Sequence, residues 1–409
     1  MNFSMKFLKN SFFGPFIFLI FYFTAPIILI KVFKINFFSF FYDYFFIFGL
    51  LIIFSEILFL FTYKWKNKIP YNKIPKLPFN KMIVEPHPNL PFINKKNFLP
   101  TDKLSKLSFP LNKNSYEAPR LKTNNLGYNN GFDGGRDILT PKPNNIFRIN
   151  CLGASTTQYY LKEGANTYSY PMSLENILNE KGEKYEVNNC GSGGYASSDI
   201  LVRFLLQNID TNPNAVILYH AYNDIRSYLT SDFKSDYSHS RKNLGESYFK
   251  FYLGSLMPNL PLKFLNYFQN KFFPQNHRYT LIETISKGNF DISNVENIEL
   301  GLNAYKRNIQ NIITVCKHNK IQIILCTFCF YLHDKVKNSE MHNLYKKIVI
   351  EENEIIKNLA EINNIDIVDA YNLIPQKNEN FIDTIHFTPA GMRLLATEIS
   401  KKLNVDSLN

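Results

Sequence analysis

The stretch Ile149-Asn150-Cys151-Leu152-Gly153-Ala154-Ser155-Thr156-Thr157-Gln158 decides how this chain is read. An apolar, strand-like run from Ile146 to Leu152 stops abruptly in small and hydroxylic residues, and a segment able to be helical follows to about Gly182. A serine at the carboxyl end of a strand suits nucleophilic chemistry. Its side chain stands at the sheet edge, where the N–H groups of a helix start face incoming negative charge. The same residues also describe a tight turn with a helix N-cap. What separates the two readings is whether other segments bring a base and an oxyanion site to that edge.

Around this stretch, strands and helices alternate. Strand candidates are Ile146–Leu152, Tyr185–Asn189, Ala215–His220, Ile321–Phe330 and Ile365–Val368. Helix candidates lie at about Ser169–Lys181, Ser197–Asn208, Glu299–His318, Met341–Ile362 and Pro389–Leu403. The alternation predicts an α/β fold, a three-layer flavodoxin-like parallel sheet covered on both faces. Ligands of such sheets bind beyond the carboxyl ends of the strands. One insertion, about 226–295, interrupts the rhythm; it is rich in Tyr, Phe, Lys and Pro, and its segment Tyr248–Phe273 reads as helical.

Three further strand ends carry chemistry. After the second strand stands Asn189-Cys190-Gly191-Ser192-Gly193-Gly194-Tyr195, where glycines let backbone N–H groups approach a ligand. After the third comes Ala221-Tyr222-Asn223-Asp224, whose amide can donate a hydrogen bond or whose Asn-Asp pair can cap a helix. After the fifth comes Asp383-Thr384-Ile385-His386. An Asp-x-x-His turn lets the carboxylate hold one imidazole nitrogen and leave the other as a base, as a Ser-His-Asp arrangement requires.

Gly153-Ala154-Ser155, Gly194 within Asn-x-Gly-x-x-Gly, Ala221-Tyr222-Asn223-Asp224 and Asp383-x-x-His386 resemble the four blocks of SGNH (GDSL-type) hydrolases, in that family's order. The resemblance covers about residues 146–403. It implies Ser155 as nucleophile, His386 as base and Asp383 as orienter. It implies an oxyanion hole made of the Ser155 N–H, the Gly194 N–H and the Asn223 amide, with Gly191 and Gly193 as alternative donors. Two departures stand out: Gly-Ala-Ser replaces Gly-Asp-Ser, and Ala221 replaces the usual glycine of Gly-x-Asn-Asp. The Gly-x-Ser-x-Gly elbow of the other large esterase fold is absent, because position 157 is Thr.

Composition narrows the class. The net charge is +12, but nine Arg stand against 37 Lys and the lysines are scattered, which reads as a solvated surface rather than a nucleic-acid face. Cys151, Cys190, Cys316, Cys326 and Cys329 are irregularly spaced and mostly lie in or beside apolar runs, as buried free thiols do. Cys326-Thr-Phe-Cys329 has no second pair, so no metal site is expected. Gly191-Ser192-Gly193-Gly194-Tyr195-Ala196 also matches a dinucleotide-binding turn, with Asp210 further on. That fingerprint belongs after the first strand, with its acidic residue ending the next strand. Asp210 falls in the helical pattern instead, and no cofactor is expected.

The N-terminal region has another character. Ser11–Ile30 carries no charge, and a second apolar stretch runs from about Tyr44 to Tyr63. Each is long enough to cross ~30 Å of hydrocarbon at ~1.5 Å per residue. Residues 1–63 are therefore expected to form a hairpin of two transmembrane helices, about 11–30 and 44–63, anchoring the chain in a lipid bilayer. Glu56 is costly at bilayer depth and should face the neighbouring helix or an interface. Lys64, Lys66, Lys68, Lys73 and Lys76 follow the pair, a count that favours the cytoplasm for the remainder. Residues 64–145 hold 11 of the 20 prolines and read as an extended linker, with turn chemistry over Asn124–Gly131 fit for a small hairpin. The domain is expected at 146–409.

The expected function is serine ester hydrolysis of an O-acyl, chiefly acetyl, ester of a saccharide or surface-polymer precursor. A lipid or lysophospholipid esterase, or an O-acyltransferase of the same fold, is the alternative. A catalytically inactive, membrane-anchored binding or assembly protein is the alternative of another class.

Overall fold

Five short aliphatic runs pair into one parallel sheet. The computed structural model describes residues 20, 22, 24, 44, 46–58, 61, 84–85, 87–99, 122–163, 166–180, 182, 184–230, 233–238, 296–334 and 336–403. The strands are β1 (Phe147–Gly153), β2 (Tyr185–Asn189), β3 (Ala215–Tyr219), β4 (Gln322–Cys326) and β5 (Asp366–Val368). Their order is β2-β1-β3-β4-β5, all parallel, with Cys151 opposite both Asn189 and Ile217. This is the flavodoxin-like order, whose switch point lies between β1 and β3. The residue that follows β1 by two, Ser155, stands at that crevice.

The helices are α1 (Ser155–Gln158), α2 (Tyr170–Asn179), α3 (Ser197–Arg203), α4 (Asn223–Tyr228), α5 (Glu296–His318), α6 (Glu340–Asn363), α7 (Ala370–Leu373) and α8 (Pro389–Ser400). Right-handed crossovers put the β1–β2 connection on one face and the later ones on the other. Accordingly α2 packs on α8, while α5 packs on α3, α4 and α6. Boundaries follow local chemistry. Ser169 and Thr388 accept from the N–H of Met172 and Gly391, and a proline follows each cap. Asn364 ends α6 in the left-handed region at φ 50°.

Several expectations are corrected. The segment after Ser155 is not one long helix: α1 is a single turn, and the antiparallel pair Leu161–Glu163 and Asn166–Tyr168 separates it from α2. β4 stops at Cys326 rather than Phe330, so Cys326-Thr-Phe-Cys329 leaves the sheet. The α3 segment continues as a π-turn over Phe204–Asn208. Asn124–Gly131 forms turns joined by local backbone bonds, with no paired strands. All five cysteines are buried and free, and burial pushes the Cys316 thiol up to about 12.

Residues 87–242 and 278–409 make one unit; residues 1–86 and 243–277 make another. Within the first, 122–138 is attached to the sheet by buried amides. Asn130 Nδ2 donates to Asn188 Oδ1 at 2.8 Å, Asn188 Nδ2 donates to Asn150 Oδ1 at 3.0 Å, and Asn130 Oδ1 accepts from the Asn189 N–H. The Asn130, Asn150 and Asn188 side chains are thereby paired inside the sheet, which offsets their desolvation. In the second unit, 46–58 is helical, and among the described residues no helix is long and apolar enough to cross a membrane. The expected span 44–63 is thus described over 46–58 and at its flanks 44 and 61. The span 11–30, apart from residues 20, 22 and 24, and the expected helix Tyr248–Phe273 lie outside the described residues.

Candidate active site

Small residues make the turn after β1. A Cβ on Gly153 would lie 2.6 Å from the Tyr219 carbonyl oxygen and 2.9 Å from Thr157 Cβ, so only glycine lets β1 run this close to β3 and α1. Thr157 is buried within hydrogen-bond distance of Tyr170 Oη, a packing position rather than a reacting one. Ser155 is partly exposed and begins α1.

The loop between α7 and α8 brings a histidine to it. Phe381 and Phe387 bridge across that loop, Ile382 N–H donates to the His386 carbonyl, and the Thr384 carbonyl accepts from Tyr331 N–H. The turn so held directs His386 Nε2 to 3.1 Å from Ser155 Oγ, and Nδ1 to 2.7 Å from Asp383 Oδ2. The other carboxylate oxygen accepts the N–H groups of Ile385 and His386, at 2.9 and 2.8 Å. Burial alone would raise the Asp383 carboxyl; the His386 imidazole and these backbone donors outweigh it and hold the group below the usual range. With Nδ1–H donated to Asp383, the Nε2 lone pair faces the serine hydroxyl.

The three candidate donors follow the ends of β1, β2 and β3. No hydrogen-bond partner is found for the Ser155 or Gly194 N–H among the described residues. Asn223, the first residue of α4, uses one amide hydrogen on the Tyr195 carbonyl at 3.0 Å, leaving the second available. The alternative glycines are otherwise engaged: Gly191 N–H donates to Asn189 Oδ1 and Gly193 N–H to Gln158 Oε1. Of the three glycines, Gly194 is the one whose N–H is not engaged among the described residues.

Asp224 does not cap its own helix. It is fully buried, and its carboxylate accepts the N–H and hydroxyl of Ser197, the Tyr237 hydroxyl and a contact from His220 Nε2 at 2.6 Å. It ties the start of α3 to the start of α4. Tyr159 also stands at the site without a sequence motif to mark it: its ring lies 4.9 Å from that of His386. Its position just after the expected nucleophile was the available signal.

Beside Ser155 lies a cavity of about 10 Å³, lined by Ala154, Asn223, Tyr222, Phe328 and Ile385 among others. That is near the room one water occupies. Among the described residues no cluster of His, Cys, Asp and Glu has the arrangement of a metal site.

A family profile described as GDSL-like Lipase/Acylhydrolase matches residues 151–394. Solved structures to which the chain is similar include a lipase/acylhydrolase from Enterococcus faecalis: 16% identity, 62% of this chain and 93% of that one, TM-score 0.38. An acetyl xylan esterase aligns at 18% identity over 63% of this chain and all of its own, TM-score 0.38. An acetylxylan esterase from Geobacillus stearothermophilus aligns at 16% over 62% and 93%, TM-score 0.37. No curated protein sequence matches the chain.

Proposed function

The chain belongs to the GDSL-like lipase/acylhydrolase family, and on that premise we propose that it is a serine ester hydrolase acting through a covalent acyl-Ser155. The observation that carries this reading is the continuous contact from Asp383 through His386 to Ser155, at 2.7 and 3.1 Å.

His386 Nε2 takes the Ser155 hydroxyl proton as Oγ bonds to the ester carbonyl carbon. The negative charge that develops on the carbonyl oxygen is met by the N–H groups of Ser155 and Gly194 and by the Asn223 amide, each donor contributing ~3 kcal/mol. The carbon–oxygen bond to the alcohol then breaks, and His386 returns its proton to the departing alkoxide. Water attacks the acyl-serine with His386 again as base, releasing a carboxylic acid and restoring Ser155. Asp383 keeps Nδ1 protonated and stabilises the imidazolium in both halves.

The acyl group in this reading is acetyl. The cavity beside the nucleophile, walled by Phe328 and Ile385, supports a small acyl group. The alcohol is a hydroxyl of a saccharide or surface-polymer precursor, and the chain is held at a bilayer. Support for the anchor comes from the helix at 46–58, which is inverted relative to a water-facing helix. Phe46, Phe48, Leu51, Phe54 and Ile57 are exposed while Glu56 is buried, the distribution that a hydrocarbon surround favours. On the lysine count, the hydrolase domain faces the cytoplasm.

Hydrolysis of p-nitrophenyl esters of increasing chain length tests the proposal. Turnover dependent on Ser155 and highest for acetate is expected. A preference for chains of many methylenes over acetate would replace the saccharide reading with a lipid-esterase one.

A further inference from the structure

Ser192-Gly193-Gly194-Tyr195 is a tight turn closed by the Tyr195 N–H on the Ser192 carbonyl at 3.2 Å. Gly194 has φ +84° and is the one residue of the turn at positive φ, the geometry of a type II turn. The central peptide of such a turn carries the Gly194 N–H. With glycine on both sides, that peptide can flip at little steric cost, reversing the direction of the N–H. The turn's own sequence therefore does not fix the direction of the donor. Its neighbours do.

One neighbour is Asn223, whose amide holds the Tyr195 carbonyl at the far end. The near end is held by Gln158, the last residue of α1. Its Oε1 accepts the Gly193 N–H at 2.7 Å, and its Nε2 donates to Asn129 Oδ1 at 3.3 Å. The amide's orientation follows from chemistry, since the reverse would set two donors against each other. The packing is close: a Cβ on Gly193 would lie 3.1 Å from Gln158 Oε1 and 3.8 Å from Ser155 Cβ. Asn129 is itself buried, bonded through Nδ2 to the Lys122 carbonyl and through its own carbonyl to the Tyr160 hydroxyl.

We propose that Gln158 is a positioning residue that aims the Gly194 N–H at the reacting oxygen, and that Asn129 holds Gln158 in that pose. Asn129 lies ahead of the span 151–394 matched by the family profile. The segment preceding the hydrolase domain is thus part of the support of its oxyanion site. The proposal rests on the serine esterase reading above, because it assigns Gly194 a donor role in that reaction.

The test uses the full chain with p-nitrophenyl acetate, measuring kcat, KM and melting temperature for Gln158→Met, Asn129→Ala and the double variant, with Ser155→Ala as control. Gln158→Met should lower kcat about 10- to 100-fold, since a misplacement of 1 Å can cost ~10²-fold. KM should stay at the wild-type value, and the losses in kcat should not follow the order of melting temperature among the variants. Asn129→Ala should lower kcat in the same sense, and the double variant no further than Gln158→Met alone, because the two act in series. Wild-type kcat in Gln158→Met, additive losses in the double variant, or losses that track melting temperature would overturn the proposal while leaving the esterase reading intact. Turnover unaffected by Ser155→Ala would overturn both.

Discussion

Asp383 meets His386 twice, once through its side chain and once through its backbone. Oδ2 faces imidazole Nδ1 at 2.7 Å, and Oδ1 accepts the N–H of the same residue at 2.8 Å. Two contacts from one carboxylate fix both the ring's position and its tautomer. Asp383→Asn keeps the shape but presents an amide to Nδ1. Turnover of p-nitrophenyl acetate should fall by about 10⁴, the scale of a wrong tautomer in such a triad.

The depressed Asp383 carboxyl has a consequence for acid stability. Its folded pKa lies below the unfolded one, so its contribution is fully present above an ordinary carboxylate pKa of ~3.9 and is lost as pH falls through the folded value. Melting curves taken downward from pH ~5 should show a steeper loss for wild type than for Asp383→Ala. Parallel curves would contradict this.

Glu352 predicts the opposite sign. It is fully buried on α6, and burial first, with the Asp224 charge second, raises its carboxyl well above the usual range. Between the unfolded and folded pKa values the native state binds the extra proton, so stability falls as pH rises above ~4.3. Oε1 accepts the Tyr228 hydroxyl at 3.1 Å, a bond that glutamine can keep. Glu352→Gln should therefore gain melting temperature relative to wild type as pH rises from 5 to 8, a window above the unfolded value. A difference independent of pH would argue against a buried neutral acid.

Asp224 joins the start of α3 to the start of α4. Asp224→Ala would leave the Ser197 N–H, the Ser197 and Tyr237 hydroxyls and His220 without their acceptor. At about 1–3 kcal/mol for each buried group left unsatisfied, urea denaturation should show a loss of at least about 3 kcal/mol. A loss below about 1 kcal/mol would mean that water replaces the carboxylate.

Much of this site is visible in the sequence because each part sits at a strand end and brings its own local chemistry. Asp383-x-x-His386 is a turn whose bonds span three residues, and Tyr185–Asn189 and Ala215–Tyr219 announce themselves as apolar runs. What escaped reading depends on partners distant in sequence. Gln158 meets Asn129 and Gly193, and Asn130 meets Asn188, through amide bonds that leave no periodic trace. The single turn of α1 was hidden because Tyr159–Tyr168 is aromatic enough to continue a helix, yet tertiary contacts draw it into a strand pair.

The central claim is that Ser155 is the nucleophile, and covalent labelling tests it most directly. A fluorophosphonate probe incubated with the full chain should add its phosphonyl mass to the peptide carrying Ser155, and to none in Ser155→Ala. His386→Ala should slow labelling by ~10³ or more, by loss of the base. Equal labelling of wild type and Ser155→Ala would contradict the account.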